Sequence, residues 1–274
     1  MKPGDSVEIQ TKEGDLLTGL VMPSNDNKTL SLKLNSGYNI NIDKKRIVKS
    51  KIIENKKGTK EDKHKETFVK NPNLKNIVIL HTGGTLASKV NYATGAVTPS
   101  FSPEDIVRMF PELKEIANIK SRLIGNMFSE DLRFFHFNLI AKEIEKEIRE
   151  GTDGIIITHG TDNLALTACA LSFILENLEK PVILVGAQRS SDRPSSDAAF
   201  NLISAANFIV RGNFNEVGIC MHGKSDDNFC YIFPGCKTRK MHTSRRDAFK
   251  AVNGNAVAKA GKKDVEFLAE YKKK

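Results

Sequence analysis

The first 50 residues alternate apolar and polar side chains in four short runs. These runs are SVEIQ, LLTGLVM, LSLKLN and YNINI, which begin at positions 6, 16, 30 and 38. Alternation with a period of two is typical of strands with one buried face, and the Gly, Ser, Asn and Asp clusters between the runs indicate turns. We therefore predict four or five strands that form a small all-β barrel over residues 1–50. Such barrels bind RNA in some proteins and serve only as docking modules in others, so the pattern leaves the role of this module open.

Residues 51–74 show no comparable alternation and are rich in lysine. Between Lys51 and Lys75 the chain carries eight lysines and four acidic residues, so this stretch contributes a net charge of +4. Charge runs without apolar periodicity stay solvated. We interpret residues 51–74 as a charged linker, and its charge needs no binding partner to explain it.

The pattern changes near residue 75, where uninterrupted apolar runs alternate with helical periodicity. The runs NIVIL, GIIIT, PVILVG and VGICM begin at positions 76, 154, 181 and 217, and they are typical of parallel strands that are buried on both faces. One helix is predicted over FNLIAKEIEKEI, with Gly151 closing it, and another is predicted to begin at Ser102. The apolar face of the first helix is formed by Phe137, Ile140, Ala141, Ile144 and Ile148. The predicted fold class is α/β, with a parallel, doubly wound domain over residues 75–274.

Composition narrows the classes of function. No apolar run approaches the roughly 18 residues that a membrane span requires, and the N-terminal residues lack the apolar core of a signal peptide. We therefore expect a soluble, cytoplasmic protein without membrane contact. None of the four cysteines forms a C-x-x-C pair, and no histidines have metal-ligand spacing, so no metal site is indicated. The net charge of +9 permits nucleic-acid contact, but the absence of tryptophan does not favour base stacking.

Two glycine-containing loops follow predicted strands. The sequence TGGT, residues 82–85, ends the strand NIVIL, and THGTD, residues 158–162, ends the strand GIIIT. Ligands of parallel α/β sheets bind outside the carboxyl ends of the strands, so both loops are predicted to reach one site. Neither loop has the spacing of a P-loop or of a dinucleotide-binding motif, which argues against a nucleotide ligand and leaves the chain without an ATP motif.

The residue types in these loops are compatible with acyl transfer. A threonine hydroxyl is a weak nucleophile unless a base or a positive charge assists it. Asp162 and Lys240, the latter in the basic segment KTRKMHTSRRDAF, are candidates for that assistance, and glycine N–H groups could bind an oxyanion. The alternative is an ordinary strand-to-helix turn in which the threonines cap helices. Spacing alone does not decide between the two.

The motifs TGGT, HGTD and KMHTSRRDAF together resemble the L-asparaginase family over roughly Asn76 to Phe267. Within that family, MFSEDL, CMHG, KMHTSRRDAF and the preceding β module resemble the branch formed by the D subunits of archaeal glutamyl-tRNA(Gln) amidotransferases. The resemblance implies a catalytic group and a substrate-binding group. The catalytic group is Thr85 as the nucleophile with Thr161, Asp162 and Lys240, and the binding group is Ser129, Glu130 and the loop residue Tyr92.

Structural roles stand beside these functional ones. Tyr92 could anchor a loop, Ser129 could cap a helix before EDLRFF, and Lys240 could be one of several solvated basic residues. The stretch SSDRPSSDAAFNL, residues 190–202, matches a family motif that lines the site, although its hydroxyls also suit a helix start. We interpret the histidines beside the loops as structural. These are His81, His159, His222 and His242.

The resemblance implies a function and its partners. The chain would release ammonia from glutamine or asparagine, needing no cofactor of its own. The E subunit of the amidotransferase would use ATP and Mg to convert Glu-tRNA(Gln) to Gln-tRNA(Gln) with that ammonia, within a heterotetramer built on a homodimer. A free-standing L-asparaginase and an inactive scaffold of the tRNA complex are the alternatives. Family members continue into a smaller C-terminal subdomain, which we expect to be missing here.

Overall fold

The computed structural model describes residues 1, 5–22, 28–34, 39–54, 70–84, 88–90, 97–99, 110–191 and 195–271. Contacts divide the chain into two compact units. One consists mainly of the first 70 residues, and the other contains most of the chain from Asn71 onward. Among the described residues, no helix is long and apolar enough to cross a membrane.

The first unit is an antiparallel five-stranded sheet in the order β4-β3-β2-β1-β5. Its strands are β1 Ser6–Thr11, β2 Leu16–Met22, β3 Thr29–Leu34, β4 Asn39–Asp43 and β5 Ile47–Glu54. Alternation places one face of the sheet in a small core of its own. That core consists of Val7, Ile9, Val21, Leu30, Leu32 and Ile42. The prediction of a β-rich N-terminal module is confirmed.

The two ends of the predicted linker, residues 51–74, belong to the units beside it, and residues 55–69 lie outside the described residues. Strand β5 continues to Glu54, and Ile52 pairs with Val7 of β1, so residues 51–54 belong to the sheet. At the other end, the Asn118 side chain accepts a hydrogen bond from the backbone N–H of Asn71 and donates to the Leu74 carbonyl. These contacts tie residues 71–74 to the second unit. Composition alone marked neither end, because polar and charged residues occur in exposed edge strands and in turns as well as in linkers.

The second unit is built on an eight-stranded mixed sheet in the order β17-β16-β13-β12-β11-β10-β6-β9. Five neighbouring strands are parallel, and they are β9 Asn118–Met127, β6 Asn76–Gly83, β10 Gly154–Thr158, β11 Val182–Val185 and β12 Val217–His222. Three antiparallel strands extend the sheet beyond β12, and they are β13 Cys230–Pro234, β16 Ala258–Ala260 and β17 Val265–Phe267. Two separate ladders join β7 Ser88–Val90 to β8 Val97–Pro99 and β14 Thr238–Lys240 to β15 Phe249–Ala251.

Helices cover both faces of this sheet. The described helices are α1 Leu113–Ile116, α2 Phe134–Arg149, α3 Leu164–Ile174 and α4 Ala198–Arg211. Successive side chains of β6 point to opposite faces of the sheet. Ile77 and Ile79 pack in the core with α1 and α4, whereas Val78 and Leu80 pack with α2 and α3. The predicted parallel, doubly wound α/β class is confirmed, and the antiparallel strands are an addition that the apolar pattern did not indicate.

The long helix α2 follows its predicted periodicity with one exception. Four of the five predicted apolar positions are buried, but Ile148 is only half-buried, and Glu147 is buried instead. The carboxylate of Glu147 lies 2.8 Å from Lys120 Nζ and 2.9 Å from Arg122 Nη2 on the edge strand β9. Two cations thus compensate the burial of its charge. Gly151 ends the helix with a φ of +86°, as predicted, whereas the helix start predicted at Ser102 lies outside the described residues.

Candidate active site

The tips of β6 and β10 are linked to each other where the two glycine loops begin. His81 pairs with Thr158 in the parallel ladder, and Thr82 Oγ1 donates a 2.9 Å hydrogen bond to the Thr158 carbonyl. Gly84 has a φ of +83°, and a Cβ atom at this position would lie 2.4 Å from the backbone nitrogen of Gly160. Only glycine fits such an approach, so the TGGT and HGTD segments touch through their glycines.

Thr161, Asp162 and Lys240 meet just beyond this contact. The Lys240 ammonium donates to Thr161 Oγ1 at 2.9 Å and to Asp162 Oδ1 at 2.8 Å. The Lys240 side chain is 11% exposed, whereas that of Asp162 is 55% exposed. The hydrogen bond from Lys240 holds the pKa of the Asp162 carboxyl below its ordinary value, although partial burial opposes this shift. The structure therefore brings three of the four predicted catalytic residues together.

Ser129 and Glu130 approach the same loop from the end of β9. They lie in a short 3₁₀ turn, and a Cβ atom on Gly160 would lie 2.8 Å from the Cβ of Ser129. Ser129 is buried, and its hydroxyl donates to Glu130 Oε2 at 2.8 Å and accepts from the backbone N–H of Asn163 at 3.3 Å. Ser129 does not cap α2, which begins at Phe134. A hydrogen bond with Glu130 also contributes to the lowered pKa of Asp162.

Two predicted site residues lie outside the described part of the chain. These are Thr85, the predicted nucleophile, and Tyr92, the predicted loop residue. Gly84 directly precedes Thr85 in the sequence, and the described contact of Gly84 with Gly160 brings the chain to the HGTD loop at that point. The assignment of Thr85 as the nucleophile stays a prediction.

Sequence reasoning overlooked Gln188, which follows strand β11. The side-chain oxygen of Gln188 accepts a 3.2 Å hydrogen bond from Thr161 Oγ1. The rule that ligands bind at the carboxyl ends of parallel strands could have found this residue, because it follows the predicted strand PVILVG. Within the predicted motif SSDRPSSDAAFNL, the buried Asp197 accepts hydrogen bonds from the backbone N–H groups of Gln188 and Arg189. Burial raises the pKa of Asp197, and these hydrogen bonds oppose the rise.

Comparison with known proteins gives this arrangement a family. The sequence model of the family described as "Asparaginase, N-terminal" matches residues 76–273. The chain belongs to the asparaginase family. A second model, described as "GatD N-terminal domain", matches residues 1–53.

Relatives of this asparaginase-family chain align with nearly all of it. The D subunit of glutamyl-tRNA(Gln) amidotransferase from Methanococcus maripaludis is 46% identical over 274 residues, and that from Pyrococcus furiosus is 46% identical over 281 residues. These alignments cover 99% of this chain and 65% and 64% of the two relatives, so the chain spans less than two thirds of their length.

Two solved asparaginase structures resemble the fold. The thermostable L-asparaginase from Thermococcus kodakarensis is 30% identical with a TM-score of 0.62, covering 73% of this chain and 58% of that one. The probable cytoplasmic L-asparaginase from Campylobacter jejuni is 28% identical with a TM-score of 0.64, covering 71% of this chain and 58% of that one.

The histidines of this asparaginase-family domain support the loops from beneath. His159 is fully buried, and its Nδ1 lies 2.7 Å from the Gly160 carbonyl. His81 contacts Thr158 Oγ1 and Ser121 Oγ, each at 2.7 Å. Burial lowers the pKa of both histidines to about 4, so both are neutral at neutral pH.

The other two histidines that the sequence analysis interpreted as structural differ in burial. His222 is buried and contacts Asn201 and Asp227, whereas His242 is exposed and accepts hydrogen bonds from two backbone N–H groups. Across the described ranges, no three histidine, cysteine or acidic side chains cluster as metal ligands would.

The chemistry available at the site follows from its donors and acceptors. Lys240 provides a positive charge against a hydroxyl, and such a pair can pass a proton between a nucleophile and a leaving group. The Asp162 carboxylate keeps part of its surface open, which allows it to pair with a substrate ammonium. The close approach of Gly84 and Gly160 brings two main-chain segments, rather than side chains, together at the tips of β6 and β10.

Proposed function

We propose that this chain is the glutaminase-type component of a tRNA-dependent amidotransferase and that it releases ammonia from glutamine or asparagine. The observation that carries this proposal is the shared hydrogen bonding of the Lys240 ammonium with the Thr161 hydroxyl and the Asp162 carboxylate. This group lies beside the Gly84–Gly160 contact, and Thr85 is the next residue in the chain.

The proposed reaction uses two covalent steps. The hydroxyl oxygen of Thr85 attacks the side-chain amide carbon of the substrate, and its proton is relayed through the Thr161 hydroxyl toward the amide nitrogen, while the Lys240 ammonium stabilises the negative charge that develops on the Thr161 oxygen. The bond from carbon to nitrogen then breaks, the nitrogen takes up that proton, and ammonia leaves an acyl ester on Thr85. Water hydrolyses the ester, which restores the Thr85 hydroxyl and releases glutamate or aspartate.

Substrate selection follows from charge. The free amino acid carries an ammonium and a carboxylate, so its site needs one partner of each kind. Asp162 and Glu130 face the ammonium, and the buried Ser129 hydroxyl, which donates to Glu130 before substrate binds, turns its proton to the substrate carboxylate. Tyr92 is proposed to cover the bound substrate. No cofactor or metal is required in this chain for these steps.

The proposed partner completes the reaction. The relatives that match 99% of this chain are named as the D subunit of glutamyl-tRNA(Gln) amidotransferase, and the match of residues 1–53 supports the same assignment. The E subunit of that amidotransferase would use ATP and Mg to transfer the ammonia to Glu-tRNA(Gln) in the cytoplasm, within a heterotetramer built on a homodimer. The main alternative is a free-standing L-asparaginase, which the two solved asparaginase structures favour and the N-terminal module disfavours.

The deciding experiment measures ammonia release by the full chain with glutamine and with asparagine, alone and with the E subunit and charged tRNA. We expect release that rises on addition of the partner, and we expect Lys240→Ala to lower it roughly 10³-fold, because the Thr161 hydroxyl then lacks the ammonium that assists proton transfer. Lys259→Ala, which removes a similar ion pair with Glu266 at 3.0 Å, is the matched control and should stay within about twofold.

The outcomes separate the candidates. No ammonia from the intact chain under any condition refutes the proposal, and so does full activity of Lys240→Ala. A rate of ammonia release that is the same with and without the E subunit and the tRNA identifies a free-standing asparaginase. Loss of amidation in Thr85→Ala, with the complex still assembled, excludes an inactive scaffold.

A further inference from the structure

Gln188 connects the Thr161 hydroxyl to the basic segment that carries Lys240. Its Oε1 accepts from Thr161 Oγ1 at 3.2 Å, and its Nε2 donates to the Arg245 carbonyl at 2.9 Å. A backbone carbonyl can only accept, so the amide nitrogen must face Arg245. The amide oxygen therefore faces Thr161. The two hydrogen-bonding partners permit only this orientation of the Gln188 amide group.

The orientation of Gln188 determines where the Thr161 proton points. A hydroxyl has one proton, and here that proton is directed at Gln188 Oε1. The lone pairs of Thr161 Oγ1 then remain to accept from Lys240 Nζ at 2.9 Å. Donor and acceptor are thus assigned without ambiguity along the line from Lys240 through Thr161 to Gln188.

The Gln188 main chain is held from beneath by a buried carboxylate. Asp197 is fully buried, and its two oxygens accept from the N–H groups of Gln188 at 3.0 Å and Arg189 at 2.9 Å. Asn201 Nδ2 donates to Asp197 at 3.2 Å and to the Gly186 carbonyl at 3.0 Å. These buried hydrogen bonds therefore fix the backbone of the loop that carries Gln188 before any substrate binds.

The Thr161 methyl group is a separate restraint on the same side chain. A Cβ atom on Gly186 would lie 2.8 Å from Thr161 Cγ2, so the methyl group packs against this glycine. The methyl contact limits the rotamer of a β-branched side chain but has no influence on the direction of its hydroxyl proton. Two devices thus act on Thr161, and only the hydrogen bond to Gln188 orients the proton.

We propose that Gln188 is a positioning residue that directs the Thr161 hydroxyl proton away from Lys240 and so keeps the Thr161–Lys240 pair aligned for proton transfer. Without Gln188, the hydroxyl can turn its proton toward water or toward Asp162, and the pair must reorganise in every turnover. The kinetic part of this inference rests on the proposed function, whereas its structural part does not.

The kinetic test replaces the amide of Gln188 with an apolar group of similar size. We expect Gln188→Leu and Gln188→Met to lower kcat for ammonia release about tenfold with KM changed less than about threefold, since a neutral hydrogen bond contributes about that factor. Asn118→Leu removes an amide with two backbone acceptors at the amino end of β9 and should stay within about twofold. In a Thr161→Val background, Gln188→Leu should add less than about twofold, because its hydrogen-bonding partner is already absent.

A crystallographic test is independent of turnover and uses Thr161→Ser, which removes the methyl restraint. With Gln188 present, the serine Oγ should remain within hydrogen-bonding distance of Lys240 Nζ, and with Gln188→Leu added it should turn away. A serine Oγ that stays on Lys240 in both variants overturns the inference, as does one that leaves Lys240 while Gln188 is still present.

The two tests distinguish this inference from the proposed function. If the intact chain releases ammonia and neither Gln188 variant lowers kcat, the inference is overturned and the function stands. If the intact chain releases no ammonia, the proposed function fails, and the two crystal structures alone decide the role of Gln188.

Discussion

Acidification should destabilise the asparaginase-like domain through two buried histidines. His81 is 1% exposed and His159 is fully buried, and burial lowers the pKa of each from 6.5 to about 4. The folded state therefore keeps both rings neutral at a pH where the unfolded chain has already taken up two protons. Their contribution to stability is fully present above pH 6.5 and is lost as the pH falls toward 4.

The size of the effect follows from the two pKa values. Between about pH 7 and about pH 5, each histidine lowers the free energy of unfolding by about 2 kcal/mol, and the pair by about 4 kcal/mol. Such a loss is a large part of the stability of an ordinary domain. Because His81 and His159 support the tips of β6 and β10, the loops of the site should be among the first parts affected.

The assay is urea unfolding at both pH values, followed by far-ultraviolet circular dichroism. The helical signal reports on the second unit, because all four described α-helices lie there. His159→Asn keeps a donor that can reach the Gly160 carbonyl but cannot titrate. We expect this variant to be less stable at neutral pH but to lose about 2 kcal/mol less than the natural chain on acidification.

A matched control separates the buried rings from histidine in general. His242 is exposed, so His242→Asn should leave the loss on acidification unchanged. An equal loss in His159→Asn and the natural chain would refute the reasoning, because it would show that other groups cause the acid sensitivity.

Two other predictions concern the glycine loop and the buried acid of α2. Gly160→Ala should raise the KM for ammonia release, and so lower kcat/KM, at least about tenfold, because the added Cβ must displace Ser129. Gly261→Ala, where a Cβ meets nothing closer than 3.7 Å, is the control, and equal kinetics in both would contradict the proposed packing. Glu147→Ala should lower the free energy of urea unfolding by about 2 kcal/mol, since two cations lose their buried partner. Glu145→Ala breaks only an exposed pair and should cost less than about 0.5 kcal/mol, so equal losses would show that burial of Glu147 has no consequence.

The parts of the fold that could be predicted are those with strong local periodicity. Strands β6, β10, β11 and β12 are buried on both faces, so each leaves a continuous apolar run in the sequence. The apolar pattern does not predict strand β9, because this strand lies at the sheet edge and carries Lys120 and Arg122 toward the acids of α2. Strands β16 and β17 are three residues long, which is too short for a periodic signal.

The burial of Glu147 illustrates why a helical pattern alone can mislead. The residue occupies a position next to Ile148, and the sequence favours the isoleucine as the buried one. The neighbouring strand β9 supplies two cations at this point, and their charge makes burial of the carboxylate acceptable. Because those cations lie more than twenty residues away in the chain, no local window contains the information.

The sequence by itself determined the doubly wound class, the strand tips at which chemistry is expected, and the residue types in the TGGT and HGTD loops. These features follow from burial and backbone conformation, which act between near neighbours in the chain. The family resemblance had already named Lys240 as the catalytic lysine, but only the tertiary structure showed that it reaches Thr161, 79 residues away, and that Gln188 takes the remaining hydrogen bond. The physical reason is that a hydrogen bond requires two groups within about 3 Å, and such proximity between distant residues exists only after the sheet has formed.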